Sequence, residues 1–102
     1  MSKQPKFTQD EMRQLAKSFI IVRETFGLSR ADVASAIFVC SATIGNAENG
    51  IPISKNMGHH LWLMYSDYLY DCTVNHDLED PQIAFIQDHL DTIGRVLYGK
   101  EY

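Results

Sequence analysis

The chain has 102 residues, 45% of them hydrophobic and 22% charged, which is the size and apolar content of one compact domain with a core of its own. Its formal net charge is −4, and its apolar runs, such as Phe19 to Val22, are far too short to cross a bilayer. Two widely spaced cysteines, Cys40 and Cys72, exclude a disulfide-built framework; the start Met1 to Lys6 lacks the apolar stretch of a secretion signal, so a cytoplasmic chain is expected, with both thiols reduced and in or near the core.

Apolar residues recur at helical spacing almost throughout and nowhere alternate with period two, which predicts an all-α chain. A first helix starts behind Thr8, a capping hydroxyl with Glu11 three residues on. It buries Met12, Leu15, Phe19, Val22 and Phe26 before Gly27 ends it. Ser29 and Asp32 form a second capping pair, opening a helix whose inner face is Val33, Ala34 and Ile37. After a tight connection at Phe38, Val39 and Cys40, a short third helix runs through Ile44 and Ala47 to Asn49-Gly50, a pair suited to a left-handed end.

Pro52 demands an extended Ile51-Pro52-Ile53. Ser54 caps a fourth helix to about Asp71, with Met57, Leu61, Met64, Tyr65, Tyr68 and Leu69 as its apolar stripe. A polar loop, Thr73 to Asp80, follows. Asp80 as cap and Pro81 at the first helical position then launch a fifth helix through Ile83, Ile86, Leu90, Ile93 and Leu97, ending near Gly99.

The stretch Gly27-Leu28-Ser29-Arg30-Ala31-Asp32-Val33-Ala34, followed by Val39-Cys40-Ser41-Ala42-Thr43-Ile44-Gly45-Asn46-Ala47-Glu48-Asn49-Gly50, resembles the Cro and phage-repressor helix-turn-helix family without a gap. Its most specific pieces are Ala34, the pair Thr43-Ile44, and the ending Glu48-Asn49-Gly50. The likeness covers about the first 70 residues. It implies a five-helix, lambda-repressor-like DNA-binding domain, with a core at about 8–71 and a C-terminal helix at about 80–99. Elementary packing agrees, since two short helices joined by a tight turn cross closely only over a small side chain such as Ala34.

The resemblance further implies a role for particular residues. Base-edge contacts fall to Ser41, Ala42, Gly45 and Asn46, with Thr43 nearby. Phosphate contacts fall to Ser29, Arg30 and Asn49, and an internal ion pair to Arg23 and Glu48. Asn46 is the strongest reader, because its amide can both donate to and accept from an adenine edge, a match worth about 1–3 kcal/mol against a wrong base. Gly45 has two open readings, relief of crowding or close approach to DNA. The sequence departs from the family at Phe38, where a turn glycine is usual, and at Cys40, where a Ser or Thr cap is usual. A left-handed Phe38 is costly, and Ser41 becomes a second candidate for the cap.

Charge is unevenly spread. Residues 1–58 carry +2 and residues 59–102 carry −6, so the helix-turn-helix half is mildly basic and the rest acidic. The expected function is a sequence-specific double-stranded-DNA-binding transcriptional regulator, a repressor acting as a homodimer at a palindromic operator. Surplus apolar residues, Trp62, Tyr70, Phe85, Val96 and Tyr98, are expected at the dimer interface. The rival readings are a protein-interaction module using the acidic half and a scaffold that has lost DNA binding. The histidines His59, His60, His76 and His89 show no zinc-ligand spacing, and no catalytic set or phosphate loop stands out, so neither enzyme activity nor a cofactor is expected.

Overall fold

A computed structural model of the chain describes residues 7–99; the reading of Met1 to Lys6 as free of a leader lies outside them. Five α-helices account for the regular structure: α1 Gln9–Phe26, α2 Arg30–Ala36, α3 Ser41–Glu48, α4 Lys55–Val74 and α5 Asp80–Tyr98. No strand occurs among the described residues, so the chain is all-α. No helix among them is long and apolar enough to cross a membrane.

The starts of the first two helices follow from local chemistry. Thr8 accepts from the Glu11 N–H while the Glu11 carboxylate accepts from the Thr8 N–H, and Ser29 and Asp32 repeat the exchange at α2. The two N–H groups of Ser29 and Asp32 are thereby satisfied. The Ser29 bonds also hold the Asp32 carboxyl below its ordinary pKa, the backbone bond first.

Two boundaries differ from expectation. Helix α4 continues to Val74, three residues past Asp71, because Cys72 falls on the core face and the Thr73 hydroxyl returns to the Leu69 carbonyl. Helix α5 is capped by Glu79 and not by Asp80. The Gln82 side chain reaches back three residues to accept the Glu79 N–H, which puts Asp80 and Pro81 inside the first turn, where a missing amide costs nothing.

All five helices feed one core. Met12, Leu15, Phe19 and Val22 of α1 meet Val33 and Ala34 of α2, Ile44 and Ala47 of α3, Leu61, Tyr65 and Leu69 of α4, and Ile86, Leu90, Ile93 and Leu97 of α5. Helix α1 packs on α5 and α3, α4 on α5, and α2 on α3. Polar ties reinforce the α5 contacts: the Trp62 indole N–H donates to the Leu90 carbonyl at 3.0 Å, and the Ser18 hydroxyl meets the His89 ring at 3.3 Å. Phe26 and Ile37, expected in the core, are only half-buried at its edge.

Cys72 is buried as expected, and burial pushes its thiol pKa up. Cys40 is not; it is exposed at the α2–α3 connection, where the Thr43 hydroxyl beside its sulfur lowers the thiol pKa.

Tyr65 is fully buried between Phe19 and Phe26, and its hydroxyl has no hydrogen-bond partner among the described residues. Burial, then the nearby Glu48 charge, pushes its pKa up. An unpaired buried hydroxyl is a cost without a return. Replacing Tyr65 by Phe should therefore stabilise the chain by about 1 kcal/mol, read as a rise in Tm of about 4–8 °C. The raised pKa makes a stability contribution that is present below the ordinary tyrosine value near 10 and lost as pH rises above it, so the alkaline loss of stability should be shallower in the variant.

Candidate nucleic-acid interface

Helices α2 and α3, with the turn between them, form a unit held from behind. The α3 residues Ile44 and Ala47 are buried in the core, whereas Ser41, Ala42, Asn46 and Asn49 are exposed and Thr43 is half-exposed. Outward side chains on α3 are therefore short, and all are neutral. Its one charged residue, Glu48, points the other way and is completely buried at its side chain.

Glu48 is where three elements meet. From α1, the Arg23 Nε donates to Glu48 Oε2 at 2.6 Å and Nη2 donates to Oε1 at 2.9 Å, while Nη1 donates to the Leu28 carbonyl at 2.9 Å. From α2, the Arg30 Nε donates to Glu48 Oε1 at 3.1 Å. Both carboxylate oxygens are thus engaged, and the Glu48 hydrogen bonds raise the Arg23 pKa above its ordinary value. The expected Arg23–Glu48 pair is present. Its extension to Arg30 is not something sequence spacing signals, because Arg30 and Glu48 are 18 positions apart, across a turn and most of α3.

Gly45 belongs to the same arrangement. It is buried, and a Cβ built on it would stand 3.2 Å from Arg30 Nη1. The bare glycine backbone is the slot through which Arg30 reaches Glu48. Of the two readings of Gly45, relief of crowding is the one the packing displays, and Gly45 leaves the set of residues open to an outside base because Arg30 covers it. Arg30 is likewise committed to Glu48, although 44% of its side chain remains exposed. Ser29 uses its N–H and one hydroxyl lone pair in the α2 cap.

The turn solves its end chemistry in an unusual way. Phe38 has φ 60°, and it is followed by a Val39 N–H donating to the Ala34 carbonyl, while its own N–H donates to the Ser35 carbonyl. These two bonds make a Schellman end, a motif in which glycine normally takes the left-handed position, as Gly50 does after α3. Phe38 takes it here with its ring 95% exposed. Cys40 then caps α3, and Ser41 is its first residue rather than its cap.

The expected dimer residues separate. Tyr70 and Phe85 are exposed, but Trp62, Val96 and Tyr98 are half-buried and packed against the chain's own core. Trp62 and Tyr98 meet edge to face, the Tyr98 hydroxyl bonds the His59 ring, and Lys55 lies over the Tyr98 ring. Of the five surplus apolar residues, Trp62, Val96 and Tyr98 are thus used within the chain, Trp62 and Tyr98 in closing α5 on α4.

Compared with protein-family models, curated proteins and solved structures, the chain matches none of them.

Two outcomes test the geometry of this unit. Glu48→Ala leaves the nearly buried Arg23 guanidinium without a counter-charge and should cost about 3–5 kcal/mol, whereas Arg30→Ala, at a half-exposed site, should cost no more than about 1 kcal/mol in urea unfolding. Phe38→Gly relieves a left-handed bulky residue whose ring packs on nothing, and should stabilise the chain by about 1 kcal/mol in the same assay.

Proposed function

We propose that the chain is a sequence-specific double-stranded-DNA-binding transcriptional regulator with a lambda-repressor-like arrangement of its helices, acting as a repressor when a homodimer occupies a palindromic operator. The observation that carries this reading is the α3 face itself. A short helix and its C-cap present Ser41, Ala42, Asn46 and Asn49 outward with no charge among them, while the opposite side is anchored by Ile44, Ala47 and the Glu48 carboxylate. A helix of this width enters the major groove, where short amide, hydroxyl and methyl groups reach base edges.

The division of labour follows from the side chains. Asn46 offers the bidentate amide for adenine, and Ala42 a methyl for thymine. Ser41 and Thr43 offer hydroxyls. Phosphates meet Asn49, the hydroxyl proton of Ser29, and the guanidinium hydrogens of Arg30 that Glu48 does not take. The cluster of Arg23, Arg30 and Glu48 carries a net single positive charge, so an anion is favoured beside Arg30 even though Glu48 lies within the cluster. With so few cations at the face, affinity rests on shape and on two half-sites about 34–36 Å apart as much as on single base contacts.

Selection of bound sequences from a random duplex pool, followed by titration of the preferred duplex, tests the proposal. The wild-type chain should prefer one palindromic sequence, with log affinity falling against log salt by about 0.9 for each phosphate neutralised. Asn46→Ala should lower the preference by about 1–3 kcal/mol, roughly five- to 150-fold, with an unchanged Tm because the side chain is exposed. Equal affinity for unrelated duplexes would overturn the reading.

A further inference from the structure

Helix α4 is apolar on two opposite sides. Leu61, Tyr65 and Leu69 face the core, and directly across the helix Leu63, Tyr70 and Val74 are exposed, at 39%, 69% and 55%. With Asp67 between them, these residues fall within an arc of about 60° and extend over about 16 Å of helix. An amphipathic surface helix carries polar residues on that side. Neither Asp67 nor Tyr70 has a hydrogen-bond or ionic partner among the described residues. The exposed Phe85 of α5, by contrast, stands among exposed polar residues with its ring edge-on to His89.

We propose that this stripe is the self-association surface of the protein and that its occupant is α4 of a second copy, packed antiparallel about a two-fold axis between Tyr68 and Leu69. In that register Leu63 of one protomer meets the partner's Val74 at both ends. Near the axis the Tyr70 hydroxyl donates to the partner's Asp67 carboxylate, twice over. The stripe read backwards is its own complement: apolar falls on apolar and donor on acceptor. A two-fold interface requires this of a single patch. Parallel packing would instead set Asp67 against Asp67, and a basic partner would answer Asp67 but leave Leu63 and Val74 uncovered. Contact between two helices along this length lies at the small end of specific interfaces, which suits a reversible, concentration-dependent dimer.

The inference supplies an interface for the dimer of the proposed regulator, but it stands on the α4 surface alone and is tested without DNA. In sedimentation equilibrium the full chain should show a monomer–dimer equilibrium. Leu63→Lys and Val74→Glu should each weaken it roughly a hundredfold, about tenfold at each of the two equivalent ends. The two variants mixed should associate again within about tenfold of wild type, because the new Lys and Glu then face each other at one end while the native pair remains at the other. Phe85→Glu should leave the dimer unchanged. A monomeric wild-type chain, single variants that still dimerise, a mixture that stays monomeric, or loss of the dimer in Phe85→Glu would each overturn the proposal. A dimer that obeys all four expectations yet binds no duplex would sustain this inference while overturning the regulator reading.

Discussion

The carboxylate of Glu48 sits at the junction of α1, α2 and α3, and the orientation of α3 depends on how its charge is answered. Taking a carboxylate out of water costs several kcal/mol, so it persists in the interior only where donors surround it. Arg23 supplies two and Arg30 a third. The geometry leaves little freedom: Arg23 is also tied to the Leu28 carbonyl, which fixes the α1–α2 connection, and Arg30 must cross the bare backbone of Gly45. Moving α3 by a turn relative to either neighbour would strand a charge. The outward face of the helix is therefore aimed by what lies beneath it.

The same logic accounts for the cost accepted at Phe38. A non-glycine residue in left-handed geometry is unfavourable, but the turn it makes satisfies the Ser35 and Ala34 carbonyls and lets α3 start where Ile44 and Ala47 can enter the core. Core packing, the ion cluster and the turn thus agree on one placement of α3. Away from that junction the chain is organised differently. Helices α4 and α5 close on one another through Leu61, Leu90, Trp62 and Tyr98, and Asp67, Asp71, Asp80 and Asp88 are exposed on them.

What was legible in advance was local. The Thr8–Glu11 and Ser29–Asp32 caps, the ends at Gly27 and Gly50, and most of the inward faces of α1, α3 and α5 depend on residues three or four apart and occur where their patterns place them, with Phe26 and Ile83 at the ends of their faces only half-buried. Asp80-Pro81 points to a cap one residue late for α5, because it is a good signal by itself, whereas the Gln82 side chain selects Glu79. The burial of Gly45 and the exposure of Cys40 were out of reach for another reason. Each is decided by a neighbour on a different helix, or by its absence.

The amino-acid sequence by itself determined that five helices form and most of where they begin and end. Helix periodicity and capping are short-range, whereas the Arg23–Glu48 pair, implied in advance only by a resemblance, joins residues 25 apart on different helices. Only the tertiary structure decided that Arg30 joins that pair through Gly45, that Trp62, Val96 and Tyr98 are used within the chain, and that Leu63, Tyr70 and Val74 are left facing out. Those outcomes depend on which surfaces meet across the core. A helix that is apolar on both sides does not reveal from its own sequence which side its neighbours will cover.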